Sequence, residues 1–306
     1  MDIKKIGAII KDAKWFNPIG GFIKMEVRAW LCFWRQPARF FARFHNPKTK
    51  YFLSVMAVMK NEGPYLVEWL EYHKTIGVEK FYLYDNESDD DTKKILAPYI
   101  KSGLVEYKYY PGKGVQKAVY ADGINVTRGQ TKWLAIFDLD EMMVPPKNES
   151  IIDLLKRQPN SVSSVVMPWI NFGSAGHIKK PKGLVMENFR MRDVTNDPLW
   201  KTIVRPDRVY AVGAHTQVVS GKTIDAFGSR YFYIRHPINT KYLDGIRIHH
   251  YSVKSLEEFA KRSGRGDVLG GDKRALKRYT NDYFTKNDRN AVLDKSMDKY
   301  VKKLKK

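Results

Sequence analysis

The sequence predicts an α/β domain whose sheet is mostly parallel and doubly wound, carried between two basic helical extensions. Three observations lead there. Apolar runs of strand length alternate with segments of helical period, in the order β-α-β-α-β-α-β, from Tyr51 onward. Several of these runs end in polar, largely acidic clusters, where an open α/β sheet binds its ligands. The composition, 43% hydrophobic and 28% charged over 306 residues, belongs to a folded globular chain. That length suits about two domains.

Residues 1–50 form the first extension. Wound at about 100° per residue, Trp30, Phe33, Trp34, Phe41 and Phe44 share one face, and Arg28, Arg35, Arg39 and Arg43 the other. The distribution suits a helix lying in a membrane interface and equally one docked on the protein's own core. Pro37 falls midway and breaks or kinks either.

The domain proper spans 51–254. "YFLSVMAVM" reads as a buried strand. "GPYLVEWLEYHKTIG" follows as a helix, with Pro64 near its first turn and Leu66, Trp69, Leu70 and His73 on one stripe. His73 is expected as a packed or edge histidine, not a ligand. The strand "KFYLYD", a helix around Asp91–Tyr99, the strand "LVEYKYY" and a helix near Val115–Arg128 lead into the strand "KWLAIFD".

Residues 255–306 read as helical and very basic, with Leu293, Met297, Tyr300, Val301 and Leu304 in an apolar stripe. Their lysines are either a solvated face or an attraction to phospholipid, worth ~1 kcal/mol per basic residue near an anionic surface.

Charge and cysteine content narrow the setting. Lys plus Arg number 54 against 33 Asp plus Glu, a net charge of +21, which points to an anionic partner: nucleic acid, phospholipid or a phosphorylated substrate. The lone Cys32 excludes an internal disulfide framework and fits a reducing compartment. The opening "MDIKKIGAIIKDAKWF" has too short an apolar run for a secretory signal. No apolar stretch nears the ~20 residues of a membrane-spanning helix. The N-x-[ST] matches at Asn86, Asn125 and Asn148 are therefore idle in a cytosolic chain.

Three strand ends carry the chemistry. The first gives Lys60, Asn61 and Glu62; the second gives Asp85, Asn86, Ser88, Asp89 and Asp91; the fourth gives Asp138, Asp140 and Glu141. "NESDDD" alone looks like an acid-rich helix cap, but three clusters on one edge point to a site. Paired carboxylates on a short D-x-D turn suit a hard divalent cation that keeps positions open for phosphate oxygens. A nucleophilic aspartate of the haloacid-dehalogenase type is excluded twice, by Met142 at the fifth motif position and by the strand being the fourth. A dinucleotide fingerprint is absent, since "KNEGPY" follows the first strand.

"VMKNEGPYLVEWLEYHKTIGVEKFYLYDNESDDD" and "KWLAIFDLDEMMVP" together resemble glycosyltransferase family 92, a nucleotide-sugar-dependent group of the GT-A fold close in pattern to family 2. "WINFGSAGH", "GLVMENFRMR", "KTIVRPDRV" and "IRIHHYSVKSLEEFAKRSGRG" extend the resemblance, over roughly Tyr51 to Gly266. The resemblance implies an inverting transfer from a UDP-sugar, galactose favoured.

By the same carry-over, Asp138 and Asp140 grip a diphosphate-bound Mn²⁺ or Mg²⁺, with His250 completing the metal shell and His249 the weaker choice. Asp85 and Asn86, with Asn61 and Glu62 beside them, face the nucleoside. Gln116, Tyr120 and Asp122 contact ribose or donor sugar, or else form a polar helix face. Lys201 and Arg205 hold the diphosphate. Trp169, with Phe172, Ser174 and His177 in the loop after it, receives the acceptor. The general base is Glu187, with Asp193 and Asp197 as alternatives. Glu141 is left unassigned.

The leading expectation is a metal-dependent transferase acting on a glycan or lipid-linked glycan. It would work in the cytoplasm, peripheral on the inner face of a bacterial membrane, in surface polysaccharide synthesis. Eukaryotic family members carry a membrane anchor that this sequence does not show. A basic nucleic-acid-binding protein is the rival, but the acids concentrated at the strand ends would repel nucleic acid. A glycan-binding fold without turnover is a third option, opposed by the intact Asp138 and Asp140.

Overall fold

The first strand, β1 (Tyr51–Met59), is buried on both faces, and its side chains alternate between two cores. Leu53, Val55, Ala57 and Met59 face one layer, Met56 and Val58 the other. The computed structural model describes residues 30–34, 36–45, 47–231, 238–263 and 280–306. In chain order β1 is followed by α1 (Gly63–Thr75), β2 (Lys80–Asp85), α2 (Thr92–Lys101), β3 (Val105–Tyr109), α3 (Gln116–Thr127) and β4 (Thr131–Ile136). This is the βα order expected from the sequence, with bounds that differ by a few residues at most. Next come β5 (Glu141–Val144), α4 (Ile151–Lys156), β6 (Val162–Asn171), α5 (Val185–Asn188), β7 (Met191–Arg192), β8 (Trp200–Val204) and the short strands β9 (Val209–Ala211), β10 (Val218–Val219) and β11 (Lys222–Ile224). The rest is β12 (Arg247–His250), α6 (Leu256–Ser263), α7 (Asn281–Asn287), β13 (Val292–Leu293) and α8 (Asp298–Leu304).

The fold is mixed α/β with a nine-stranded, mostly parallel sheet in the order β3-β2-β1-β4-β8-β6-β12-β5, β11 joining β6. Two strands depart from the parallel expectation. β8 lies antiparallel between β4 and β6, and β5 runs antiparallel to β12. The C-terminal end of β4 therefore meets the start of β8, the start of β5 and the end of β12 on one edge of the sheet.

Each layer carries one structural device that positions that edge. On the α3 side, a Cβ at Gly123 would come within 1.8 Å of the Met56 sulfur. Glycine lets α3 lie close on β1, which brings Gln116 and Tyr120 over the turn after β4. On the α1 side, β5 is the last strand of the sheet among the described residues. Trp69 Nε1 donates to Glu141 O at 2.8 Å, Tyr72 OH to Met143 O at 2.8 Å, and Met143 N donates to His73 Nε2 at 3.1 Å. Because that backbone N–H can only donate, the His73 proton sits on Nδ1, which donates to Trp69 O at 2.7 Å. Burial pushes the His73 pKa down to about 3, so the ring is neutral. It is a packed edge histidine, as expected.

The two extensions differ from their expectations. The aromatic segment is not one helix. Helical residues 30–34 stop at Gln36, and a short helix, Pro37–Phe41, starts afresh with proline in its first turn. Trp30, Trp34, Phe41 and Phe44 remain exposed, while Phe33 and Phe40 pack edge to face at 5.0 Å. Gln36 Nε2 and the Arg208 guanidinium tie the segment to the domain, donating to Tyr210 O and His45 O. Arg28 and Arg35 lie outside the described residues. The basic C-terminal region is docked and not wholly helical. β13 pairs with β7, Met297 is buried, and Tyr300 meets Tyr72 edge to face at 5.1 Å. Leu293 lies in β13, half exposed, apart from the stripe it was assigned to.

Glu68 on α1 holds α5 in place, accepting from Val185 N at 2.7 Å and Met186 N at 2.9 Å. Burial outweighs these bonds and raises its pKa from the usual 4.5 to about 6. A carboxyl raised in the folded state stabilises fully below its unfolded pKa, and the contribution is lost as pH rises through the folded value. The stability advantage of the wild type over Glu68→Gln should therefore shrink by about 2 kcal/mol between about pH 4.5 and pH 7. Urea denaturation at the two pH values measures it, and a constant difference would show that Glu68 titrates normally.

Candidate active site

The turn after β4 carries three carboxylates in four residues; Asp138 and Glu141 share Lys201, and Asp140 meets Arg262. Asp138 faces α3 and β8. Its Oδ2 accepts from Lys201 Nζ at 2.7 Å, and its Oδ1 lies 3.4 Å from the Tyr120 hydroxyl. Gln116 Nε2 donates to that hydroxyl at 3.1 Å. Glu141, wholly buried, accepts from Asp138 N with Oε2 at 3.0 Å. Its Oε1 lies 3.5 Å from Lys201 Nζ and has no hydrogen-bond partner among the described residues.

Burial alone would discharge Lys201, but Asp138 and Glu141 hold its pKa well above the usual value. Burial pushes Glu141 well up too, and Lys201 offsets this only in part. The ion pair is thus Lys201–Asp138, while Glu141 is biased toward its neutral form.

Asp140 turns the other way, toward β12 and α6. Its Oδ2 accepts from Arg262 Nη2 at 2.7 Å and lies 3.7 Å from His250 Nε2. Although burial opposes ionisation, Arg262, His250 and Lys254 hold Asp140 far below the ordinary carboxylate range. Glu141 and His250 are directly paired across β5 and β12. Asp140, Glu141 and His250 consequently bring one donor atom each within 4.8 Å of one another.

The imidazole is oriented by a chain of bonds. Asn171 Nδ2 donates to Asp197 Oδ2 at 2.8 Å, which turns Asn171 Oδ1 to His250 Nδ1 at 3.0 Å. The proton is therefore on Nδ1, and Nε2 is turned to Asp140. Two buried carboxylates, one lacking a partner for an oxygen, and a correctly tautomerised imidazole fit a divalent cation. Trp169 lies over His250 at 4.2 Å and His215 meets its other side at 5.2 Å, so the indole walls the cluster.

The three donors that converge are those of Asp140, Glu141 and His250, while Asp138, expected beside Asp140 and His250 as a ligand, is bound to Lys201. The two carboxylate oxygens of Asp85 accept from Ser88 N at 2.8 Å and Tyr107 OH at 2.7 Å. Asn86 donates to Tyr110 O and Gly112 O and shapes that loop. Asn61 and Glu62 do lie at the end of β1, Glu62 Oε1 being 4.0 Å from Arg262. Asp122, about 200° around α3 from Tyr120, is bound to Tyr84 and Lys108 instead.

Arg205 sits four residues down the antiparallel β8 from Lys201, about 13 Å along the strand and toward the opposite edge. There it stacks on Trp133 at 4.4 Å, away from any diphosphate bound at the D-x-D turn. Phe172 is core, stacked on His249 and Tyr251, and Ser174 holds Asp288 of the C-terminal region. His177 packs on Phe189. Trp169 is buried, so an acceptor sugar finds little open indole face. Glu187 is paired with Lys305, just past the end of α8, and has no contact with the cluster. Asp193 lies beside Asn171, its backbone N donating to Asn171 O at 2.9 Å, with Arg289 at 3.6 Å from its carboxylate.

Arg262, Lys254 and His215 were not singled out in the sequence. The first two fall where lysine and arginine are so common that no signal separates them, and His215 reaches the site on a hairpin that β9 and β10 form.

The family model for Glycosyltransferase family 92 matches residues 53–268. A glycosyltransferase family 92 protein of Oryza sativa subsp. japonica is 29% identical over 167 residues, 53% of this chain and 28% of that protein. Another, of Ricinus communis, is 28% identical over 159 residues, 51% and 29%. The Arabidopsis thaliana galactan beta-1,4-galactosyltransferase is 27% identical over 197 residues, 57% and 38%. The chain thus spans well under half the length of these curated relatives, and their plant origin lends no support to a bacterial setting. Among solved structures, Staphylococcus aureus TarS 1–349 aligns with a TM-score of 0.34 and 17% identity, over 51% of this chain and 47% of that one. Glucosyl-3-phosphoglycerate synthase from Mycobacterium tuberculosis, in complex with Mn²⁺, uridine diphosphate and glucosyl-3-phosphoglycerate, gives 0.31 and 14%, over 51% and 57%.

Lys201→Met leaves the buried Glu141 and the partly exposed Asp138 without their cation and should lower the unfolding free energy by roughly 3 kcal/mol. Adding Glu141→Gln should restore part of the loss, since the two groups share one interaction. Equal losses for the single and double variants, by chemical denaturation, would deny that coupling.

Proposed function

The chain belongs to glycosyltransferase family 92, and on that premise we propose that it transfers a sugar, with inversion, from a UDP-sugar to a glycan or lipid-linked glycan hydroxyl. Galactose is the favoured sugar, in keeping with the name of one relative. The observation that carries the reading is the Asp140–Glu141–His250 group at the strand-end edge, with Lys201 and Arg262 set against it.

A divalent cation, Mn²⁺ or Mg²⁺, held by these three residues would neutralise charge on a diphosphate leaving group. The protein's own groups do the rest. Lys201 and Tyr120 fix Asp138, whose side chain is still 31% exposed toward a donor. Gln116 Oε1, buried and without a hydrogen-bond partner among the described residues, offers an acceptor to a ribose hydroxyl. Asn171 fixes His250 through the bond described above. For the general base, Asp193 and Asp197, both bonded to Asn171, lie closer to the cluster than Glu187, with Leu199 N on the second oxygen of Asp197.

A peripheral membrane setting is part of the proposal. No helix of the described residues is long and apolar enough to cross a membrane. The exposed Trp30, Trp34, Phe41 and Phe44 lie by a cluster of cations. Arg39, on the same short helix as Phe41, and Arg128 beside it crowd one another, and burial together with that crowding lowers the Arg128 pKa. Aromatics beside crowded cations suit an anionic bilayer surface.

Asp140→Asn should cut Mn²⁺-dependent turnover of UDP-galactose by on the order of 100-fold, measured as UDP release. Wild-type protein that consumes no UDP-sugar, or a variant as active as wild type, would sink the enzyme reading. Serine at Trp30, Trp34, Phe41 and Phe44 together should reduce sedimentation with phosphatidylserine vesicles. Undiminished pelleting would remove the membrane from the proposal.

A further inference from the structure

One oxygen of Asp140 has two claimants. Oδ2 lies 2.7 Å from Arg262 Nη2 and 3.7 Å from His250 Nε2, on the side where the three-residue group converges. A guanidinium this close neutralises Asp140 and takes up the space beside the oxygen that a cation would need. Arg262 is placed there by α6, its Nη1 donating to Ser252 O at 3.0 Å, with Glu62 Oε1 4.0 Å away. The neighbouring space is open. A cleft of about 320 Å³ is lined by Asn61, Tyr65, Lys180, Lys254, Lys261 and Arg262 among others. Its cations outnumber Asp90 and Glu258, the acids in the same wall. The guanidinium can move off Asp140 into that cleft, and an anion entering it would supply a planar, bidentate partner.

We infer that Arg262 is a stand-in cation, holding Asp140 in the free protein and passing to the diphosphate when a uridine nucleotide binds, so that nucleotide and divalent metal bind cooperatively. The inference rests on the donor reading above. It deepens it by making metal binding to Asp140 conditional on the nucleotide. Linkage requires the effect to be reciprocal: whatever UDP does for Mn²⁺ affinity, Mn²⁺ does for UDP affinity.

The test uses the full chain and the free-Mn²⁺ electron paramagnetic resonance signal, with and without UDP. Arg262→Gln should bind Mn²⁺ alone about 5-fold or more tightly than wild type. UDP should tighten Mn²⁺ binding to wild type by a comparable factor, and that gain should shrink in Arg262→Gln. Arg262→Lys keeps the positive charge and should resemble wild type without UDP. Arg262→Gln binding Mn²⁺ no more tightly than wild type overturns the inference, whatever UDP does. So does Arg262→Lys behaving like Arg262→Gln, since charge would then not be the cause. Tighter Mn²⁺ binding in Arg262→Gln with no UDP effect on wild type overturns the nucleotide half of the inference and the donor reading with it.

Discussion

Three carboxylates within four residues, two of them buried, can share one turn only if cations are brought to them, and the arrangement of the sheet follows from that need. Lys201 answers Asp138 and Glu141. It arrives because β8 runs antiparallel between β4 and β6, which sets the start of β8 beside the end of β4. Arg262 and His250 answer Asp140 from α6 and β12. Each of these partners comes from a different stretch of chain, so the acidic turn is assembled only when the whole sheet is. The ionisation states follow from the same geometry. Asp140 is held charged, Glu141 is biased to neutrality, and the difference lies in how many cations reach each.

Much of the frame was legible in the sequence. The strands β1 to β4 and helices α1 to α3 were read closely because each is a long apolar run or carries a clear helical stripe. His73 was read correctly for the same reason, since its place on that stripe puts it on the buried face of α1. The later strands were not. β5 and β8 to β11 are short and mixed in pattern, and their directions are set by pairings between distant segments, which no local period encodes.

Those directions decided the site residues. Lys201 and Arg205 look equivalent in "KTIVRP", yet an antiparallel strand sends one to the acidic turn and the other toward the far edge. The exchange of Asp138 for Glu141 has a similar origin. It depends on Glu141 standing opposite His250 across a strand pair more than a hundred residues apart in sequence. Glu187 matched by position but is drawn to Lys305, just past the end of a C-terminal helix that the sequence had placed apart from the domain. The D-x-D turn and His250, preferred over His249, do stand together at this edge. His249 points to the opposite side of β12, against Phe172 and Arg247.

The side-chain seal on β5 bears on how the molecule meets others. An open sheet ends in two rows of backbone donors and acceptors, and such rows recruit strands from neighbouring chains. Here the two ends are guarded by different means. β3 places Glu106 and Lys108 along its length, so an approaching strand meets charge. At β5, Trp69 occupies the C=O of Glu141, Tyr72 and His73 the C=O and N–H of Met143, and a helix stands where a strand would add. The same three side chains therefore hold a carboxylate in register and make the sheet a poor template for aggregation.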